Sequence, residues 1–575
     1  MKKYVLELTP LNRSKSSLDL LLLGDWCKND RDRKSTTVSY HWNDRRKLRN
    51  DYEHISELFD KYLIEITKGL NQAHDLDYDT DYWKIIIGPW LYYFISIVFD
   101  RYEMLKYASD HYEIDHTNIP NYETSEWIPL DYTDFNYKFY SDSWNYYIYS
   151  EIIRLTGIIK SEKTDFYIYP EKKRKENTSF FKSFLFFLTK ITRIFPRRIT
   201  FVETDYPQKS LYNLLYKLKD LRFSYYIRVK PDEFESDRKI RLRLSNNFDS
   251  RGKFESILDY LIPRNIPLSY LEGFKKLEKD SYKIFPKKTK IIFTSNAYFS
   301  NEHFKVWASN QRLKETKLWV MVHGGHHGTA SYNGPGELTE DIADRFYCWG
   351  WGEYNLPAPK LSILKGKKKN KDANKILFLS YNISRYSNHI DSSPISSSYK
   401  DCINKHCLFF EKLKSADMID KVLVRLKSRN SLWDVSSKYK ESGVKNFTYS
   451  EEEPLKNSFS RSELVIVSYD STAFLESLTM NIPTCLFIRE ECWEMSKSSK
   501  IYFDKFLDCG ILHHDENSLM DHIQKVKDDY NLWWQSDLVQ ISIKLFLKKF
   551  GLASQHWQKD WYDELQGSLP RENQN

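Results

Sequence analysis

The sequence predicts an α/β chain in which two Rossmann-like domains face a cleft and a largely helical region precedes them. Three observations predict it. From residue 285 onward, short apolar runs alternate with single amphipathic helices. Several of those runs end in glycines or in a cluster of hydroxyl and acidic residues, the texture of strand ends that bind ligands. Before residue 171, by contrast, apolar residues recur at helical spacing. With 575 residues, 41 % of them hydrophobic, the chain is too long for one core and calls for two or three.

Residues 1–170 are the helical region. Asp51 to Asn71 places Ile55, Leu58, Phe59, Tyr62, Leu63, Ile66 and Leu70 on one helical face. The apolar run Ile85 to Phe99, bounded by Lys84 and Asp100, is too short to span a bilayer. It reads as a buried core helix that continues through Leu105. Residues 171–200 are a basic amphipathic segment, with Phe180, Phe181, Phe184, Phe187 and Ile191 interleaved by Lys182, Lys190 and Arg193. Such a segment either lies in an anionic membrane interface or forms a core helix followed by a loop.

Residues 201–364 are the first Rossmann-like domain. It contains a strand at Lys290 to Thr294, a helix at Phe304 to Lys314 and a strand at Leu318 to Val322. Lys365 to Asn374 (KGKKKNKDAN) is a solvated basic linker and the domain boundary. Residues 375–550 are the second such domain. Its strands are Ile376 to Ser380, Lys421 to Leu426, Leu464 to Ser468 and Pro483 to Ile488, and its helices Asp401 to Lys414 and Ser471 to Leu478. Strands separated by single helices pair in parallel. Residues 551–575 are a C-terminal tail.

Composition excludes several classes. The net charge of +8 is mild and both signs are interspersed, so it does not call for nucleic acid. Aromatic residues make up 16 %, against only 18 Gly and 18 Pro, which excludes fibrous or low-complexity character. The seven cysteines form no CxxC pair and read as reduced thiols in a cytoplasmic protein. The N-terminus reads as no signal peptide. GxxxxGK[ST], HExxH, GxSxG and a clean GxGxxG are all missing, so P-loop, zincin and serine-hydrolase chemistry lose their weight.

Three segments carry candidate chemistry. The first is LWVMVHGGHHG, Leu318 to Gly328, where a strand runs straight into His323, Gly324 and Gly325. Glycines at a strand end let backbone N–H groups approach an anion, and His323 can act as a base or a donor. The alternative is a strand-to-helix turn that merely needs glycine. His326 and His327, with Glu337, Glu340 and Asp341 nearby, raise a zinc reading, but the spacing fits no metal motif and no metal is assigned. The second segment is LVIVSYDSTAFLE, Leu464 to Glu476. Ser468, Ser471 and Thr472 gather at the start of a helix whose N-terminus suits a phosphate, and Glu476 suits a ribose. The alternative is plain helix capping. The third is VLVRLKSR, where Arg425, Lys427 and Arg429 close a strand and can neutralise a diphosphate, or are simply solvated. Trp349-Gly350-Trp351-Gly352 reads as an aromatic packing segment at the domain junction, with sugar stacking as the alternative.

Taken together, these pieces resemble a family of transferases of bacterial surface-polysaccharide (O-antigen) biosynthesis, over nearly the whole chain. Leu21-Leu22-Leu23-Gly24-Asp25-Trp26-Cys27, Tyr40-His41-Trp42-Asn43-Asp44-Arg45 and Gly88-Pro89-Trp90-Leu91 are similar to its early blocks. Phe293-Thr294-Ser295-Asn296, His323-Gly324-Gly325 and Asp344-Arg345-Phe346 through Trp349-Gly350-Trp351 are similar to its middle. Ser471-Thr472, Phe474-Leu475-Glu476, Pro483-Thr484 and Trp533-Trp534 are similar to its end. The chain departs from the family at Val322, where Gln is usual, and at His327, where Tyr is usual. More distantly, the late segment resembles transferases of Kdo and of teichoic glycerol phosphate.

The resemblance implies a GT-B type, metal-independent glycosyltransferase. It would move a sugar, an ulosonic acid among the candidates, from a nucleotide-activated donor, CMP-linked by preference, to a lipid-linked or polysaccharide acceptor. His323 and Glu337 are the candidate catalytic bases. Gly324, Gly325, Arg425, Ser468, Ser471, Thr472 and Glu476 are the candidate donor contacts. The rival readings are a polyol-phosphate transferase on the same fold and a non-catalytic glycan- or nucleotide-binding assembly factor. The expected location is the cytoplasm, peripheral at the inner membrane, with an anionic membrane surface as partner and no nucleic acid.

Overall fold

The computed structural model describes residues 3–11, 18–28, 35–171, 197–218, 228–249, 252–366, 373–428 and 433–568. Three sheets order the chain, and every strand pairing within them is parallel.

The first sheet lies within the N-terminal region. Its strands are β1 (Tyr4–Glu7), β2 (Asp19–Leu22), β3 (Thr36–Thr37), β4 (Ile114–Asn121) and β5 (Ser161–Tyr167), in the order β3-β2-β1-β4-β5. The region is therefore helical, as read from the sequence, but built around a parallel sheet that the sequence reading did not include. Two long helices fill the connection from β3 to β4. Arg45–His74 starts where the Asp44 carboxylate accepts the Arg46 and Lys47 N–H groups, an N-cap that satisfies two orphan donors. Thr80–His111 is apolar nearly all round and buried along most of its length, despite Pro89 inside it. It is long and apolar enough to cross a membrane, yet here it is packed inside protein.

The second sheet comprises β6 (Arg197–Val202), β7 (Thr289–Thr294), β8 (Lys317–Met321), β9 (Arg345–Cys348) and β10 (Tyr354–Asn355), in simple sequential order. The third comprises β11 (Lys375–Leu379), β12 (Val422–Leu426), β13 (Asn446–Tyr449), β14 (Ser462–Val467), β15 (Thr484–Phe487) and β16 (Leu512–His513). Its order, β13-β12-β11-β14-β15-β16, reverses at β11. Doubly wound sheets bind ligands beyond the carboxyl ends of the strands at such a reversal. The two Rossmann-like units of the sequence reading are thus both present.

The N-terminal region is continuous with the first unit. One hydrophobic core runs from β1 through Trp83, Trp90 and Phe94 to Phe304, Trp307 and Val320. Gly88 lets the helix Gly334–Ile342 approach the helix Thr80–His111: a Cβ there would sit 3.2 Å from a Leu338 methyl. A separate core fills the second unit. The sequence's tail differs from expectation. Trp557–Gly567 is a helix whose Trp557, Trp561 and Leu565 cover the other face of the second sheet, against Phe201, Phe293 and Tyr347. The chain therefore crosses from the second unit back to the first. The first unit also begins at Arg197, four residues before its expected start. The amphipathic stretch 180–195 and Arg429 lie outside the described residues.

Candidate functional site

The site forms where the carboxyl ends of the second and third sheets meet. β8 delivers its last residues to the interface, followed by Val322, His323, Gly324 and Gly325. Across from them, β14 ends at the sheet's reversal and leads into the helix Thr472–Thr479. The two units touch here. The Gly325 N–H donates to Thr472 Oγ1 at 3.3 Å. A Cβ on Gly325 would lie 2.6 Å from Leu475 Cδ1 and 3.3 Å from the Ser471 backbone, so only glycine permits this approach. Gly324 is different: a Cβ there would only touch His327 and Thr472, each at 4.0 Å, so a side-chain carbon fits without displacement.

His323 borders a cavity of about 400 Å³ that is also lined by Tyr93, Arg228, Tyr298, Phe299, His327 and His389. The cavity thus draws on the N-terminal region, the first unit and the second. Burial holds the His323 imidazole below its ordinary pKa; Asp205 opposes that and Lys360 adds to it. His323 is therefore uncharged at neutral pH and able to accept a proton. His327, behind it with ring centroids 5.5 Å apart, is pushed down to about 3 by burial and by its histidine neighbours.

His326 does something else. Its Nε2 lies 3.1 Å from Asp391 Oδ1 and its Nδ1 3.5 Å from Asp470 Oδ2. Burial disfavours the imidazolium, but the two carboxylates outweigh it and raise His326 to about 10. Asp391 is correspondingly held far below the usual carboxylate range by the His326 charge, against its own burial. Residues around it join the same contact: Ala330 bridges to Met495, Asn333 to Asp391, and the Tyr332 N–H donates to Ser392 Oγ at 2.7 Å. The three histidines therefore do not converge as metal ligands. His326 is an ionic latch between the units.

The candidate donor residues separate into two groups. Thr472 and Ser471 stand at the helix N-terminus, and the Ser471 hydroxyl makes no capping bond. Glu476 is one turn in; burial raises its pKa while Lys360 and Arg425 oppose the shift. These three face the junction. Ser468 does not. Its hydroxyl donates to the Leu379 carbonyl at 2.9 Å and ties β14 to β11 inside the sheet. That corrects its donor role, because the side chain's polar group is already spent in the core. Arg425 is likewise buried, donating to Ser458 Oγ at 3.2 Å and to the Glu453 carbonyl at 2.7 Å. It anchors the 446–461 segment, and only its field reaches Glu476. Glu337 is exposed on the first turn of Gly334–Ile342, beside Tyr52 and Tyr92, and is not among the cavity's lining residues. This corrects its role as a base beside His323.

The sequence reading missed Lys360, Asp205, Arg228, His389 and Asp391. Lys360 Nζ donates to Asp205 Oδ2 at 3.0 Å and also to the His323 carbonyl. Arg228 is held by Glu203 and donates to Ser300 Oγ at 2.9 Å. None of these carries a local motif. Lys360 is followed closely by Lys365, Lys367, Lys368 and Lys369, from which spacing cannot distinguish it.

A family model described as LIC12162 family transferase matches residues 4–565. No curated protein matches the sequence. Among solved structures, an apo structure of OtsA matches with a TM-score of 0.36 and 10 % identity, over 65 % of this chain and 100 % of that one. MurG of Acinetobacter baumannii matches at 0.32 and 8 %, over 65 % and 99 %. Anabaena Alr3699/HepE, in complex with UDP and glucose, matches at 0.33 and 12 %, over 65 % and 100 %.

Proposed function

We propose, from the premise that the chain belongs to the LIC12162 family of transferases, that it moves a sugar from a nucleotide-activated donor to a hydroxyl of a surface polysaccharide or lipid-linked glycan. One observation carries the reading. His323 borders the cavity and is two residues from Gly325, which touches Thr472 of the other unit. A group in the cavity and a group at the Thr472 helix would therefore meet beside one neutral imidazole.

In this reading the donor's phosphate lies against the N-terminus of Thr472–Thr479, where unpaired N–H groups and the helix dipole favour an anion. Ser471 and Thr472 hydroxyls bond it, Glu476 takes the ribose, and Gly324 leaves room for the donor. The acceptor occupies the cavity, with Tyr93, Tyr298 and Phe299 as apolar walls for a sugar ring. His323 takes the acceptor hydroxyl's proton as that oxygen bonds to the anomeric carbon. The bond from that carbon to the phosphate oxygen breaks, and the nucleotide leaves with its electron pair. The sequence likeness to Kdo and teichoic transferases favours CMP or CDP as the carrier. The location we propose, cytoplasmic and peripheral at the inner membrane, rests on the cysteines without a CxxC pair and on the basic amphipathic segment 171–200 of the sequence.

The test is a thermal-shift panel of CMP, CDP, UMP, UDP, GDP and dTDP. A ligand at 100 times its Kd stabilises by about 2.7 kcal/mol, which raises Tm visibly. One nucleotide shifts the wild type, and Thr472→Val loses the shift. His323→Ala keeps it but loses transfer by about 10²–10⁴-fold, the usual worth of a general base. A flat panel at millimolar nucleotide rejects the donor assignment. Phosphorus in the product would instead identify a polyol-phosphate transferase, and a shift without turnover an assembly factor.

A further inference from the structure

Lys360 lies in the short helix Pro359–Ser362, on the segment that leads from β10 of the first unit to β11 of the second. Its ammonium has three surroundings. It donates to Asp205, on the loop after β6, and to the backbone carbonyl of His323, after β8. It stands 5.0 Å over the ring of Trp349, which is fully buried at the end of β9. Its field also reaches Glu476 in the helix Thr472–Thr479. One cation therefore ties three strand ends of the first unit to the connection between units.

Two physical consequences follow from that placement. A donor bond to the His323 carbonyl fixes the backbone from which the imidazole projects, just before two glycines that would otherwise leave it loose. A positive charge held this close also disfavours a second one on the imidazole, while Asp205 on the other side favours it. The titratable and charged groups facing His323 are Lys360, Asp205 and His327, with Arg228 across the cavity.

We propose that Lys360 is the positioning residue for His323: from the inter-unit connection it clamps the His323 carbonyl and the Asp205 carboxylate, fixing the imidazole at the cavity wall. This rests on the reading of His323 as the base. It adds that the base is positioned from the helix Pro359–Ser362, on the segment that leads from the first unit to the second.

The experiment needs neither donor nor acceptor. The full chain, carrying isotope-labelled histidine, is titrated by NMR, with His323→Gln assigning the His323 signal. Lys360→Met moves the His323 midpoint to higher pH. Asp205→Asn moves it to lower pH. Lys360→Arg, which keeps the charge, leaves it near the wild-type position and serves where the Met variant fails to fold. A midpoint that stays put in both Lys360→Met and Asp205→Asn, in proteins that still melt cooperatively, overturns the proposal and leaves the transfer reading standing. Midpoints that move as stated, with transfer undiminished in His323→Ala, uphold the role of Lys360 and remove the base assignment instead.

Discussion

Two adjacent glycines illustrate how differently neighbouring residues are constrained. Gly325 packs against Leu475 and the Ser471 backbone, whereas a Cβ on Gly324 would meet its neighbours His327 and Thr472 only at 4.0 Å. Gly325→Ala must therefore displace a Leu475 methyl 2.6 Å away and loosen the inter-unit bond to Thr472. Overpacking of this kind costs about 1–3 kcal/mol. The variant should melt lower than wild type, and the double variant with Leu475→Ala should lose less than the sum of the two single losses, because the smaller side chain vacates the space. Gly324→Ala should melt like wild type. Equal melting of the two single variants would refute the close approach at Gly325. The sequence made both glycines visible, because a His-Gly-Gly run at a strand end is a local signal. It could not show which one faces Leu475, since that depends on a residue 150 positions away in sequence. The same limit explains Ser468 and Arg425. Polar residues at a strand end look alike in sequence, and only pairing decides that Ser468 turns inward to Leu379.

At the scale of elements, the strands that were legible are the apolar runs closed by a helix on both sides. β7, β8, β11, β12, β14 and β15 fall within two residues of their sequence-read positions. The first sheet was not legible, for physical reasons. β3 is two residues long, β5 is exposed along most of its length, and two helices of 30 and 32 residues separate β3 from β4. Their helical periodicity dominates every window around them. The C-terminal helix Trp557–Gly567 was hidden too, because its partners lie in β6, β7 and β9. Trp561 is fully buried, with ring centroids 5.5 Å from Phe293 and 5.1 Å from Tyr347, and its indole donates to the Pro357 carbonyl at 2.9 Å. Trp561→Ala should destabilise the first unit by about 3–5 kcal/mol, the range for a large aromatic lost from a core. Urea unfolding followed by circular dichroism measures it. A loss under about 1 kcal/mol would mean that the helix is not a cover the sheet depends on.

For the molecule as a whole, one contact between the units is ionic and titratable, and its pH dependence has a definite sign. His326 is raised from its ordinary 6.5 to about 10 by Asp391 and Asp470. A group whose pKa rises on folding stabilises the fold fully below its unfolded value and loses that contribution as pH climbs through the folded one. Asp391 is lowered from 3.8, so its contribution is present above that value and fades as pH falls below it. The inter-unit latch is therefore strongest between about pH 4 and 6.5 and weakens steadily toward pH 10. His326→Gln removes the charge and leaves the half-buried Asp391 and the buried Asp470 without it, a loss of about 3–5 kcal/mol near pH 6. Melting temperatures taken from pH 5 to 10 should converge, the wild type falling more steeply than the variant above pH 6.5. Parallel curves would show that the contact between the units does not depend on an imidazolium. Convergence would carry a functional corollary. The latch lies beside the contact of the His-Gly-Gly loop with the Thr472 helix, so the titration that weakens it loosens that contact as well. Nucleotide affinity should then decline over the same alkaline range in the wild type, and the His326→Gln variant should bind weakly at every pH.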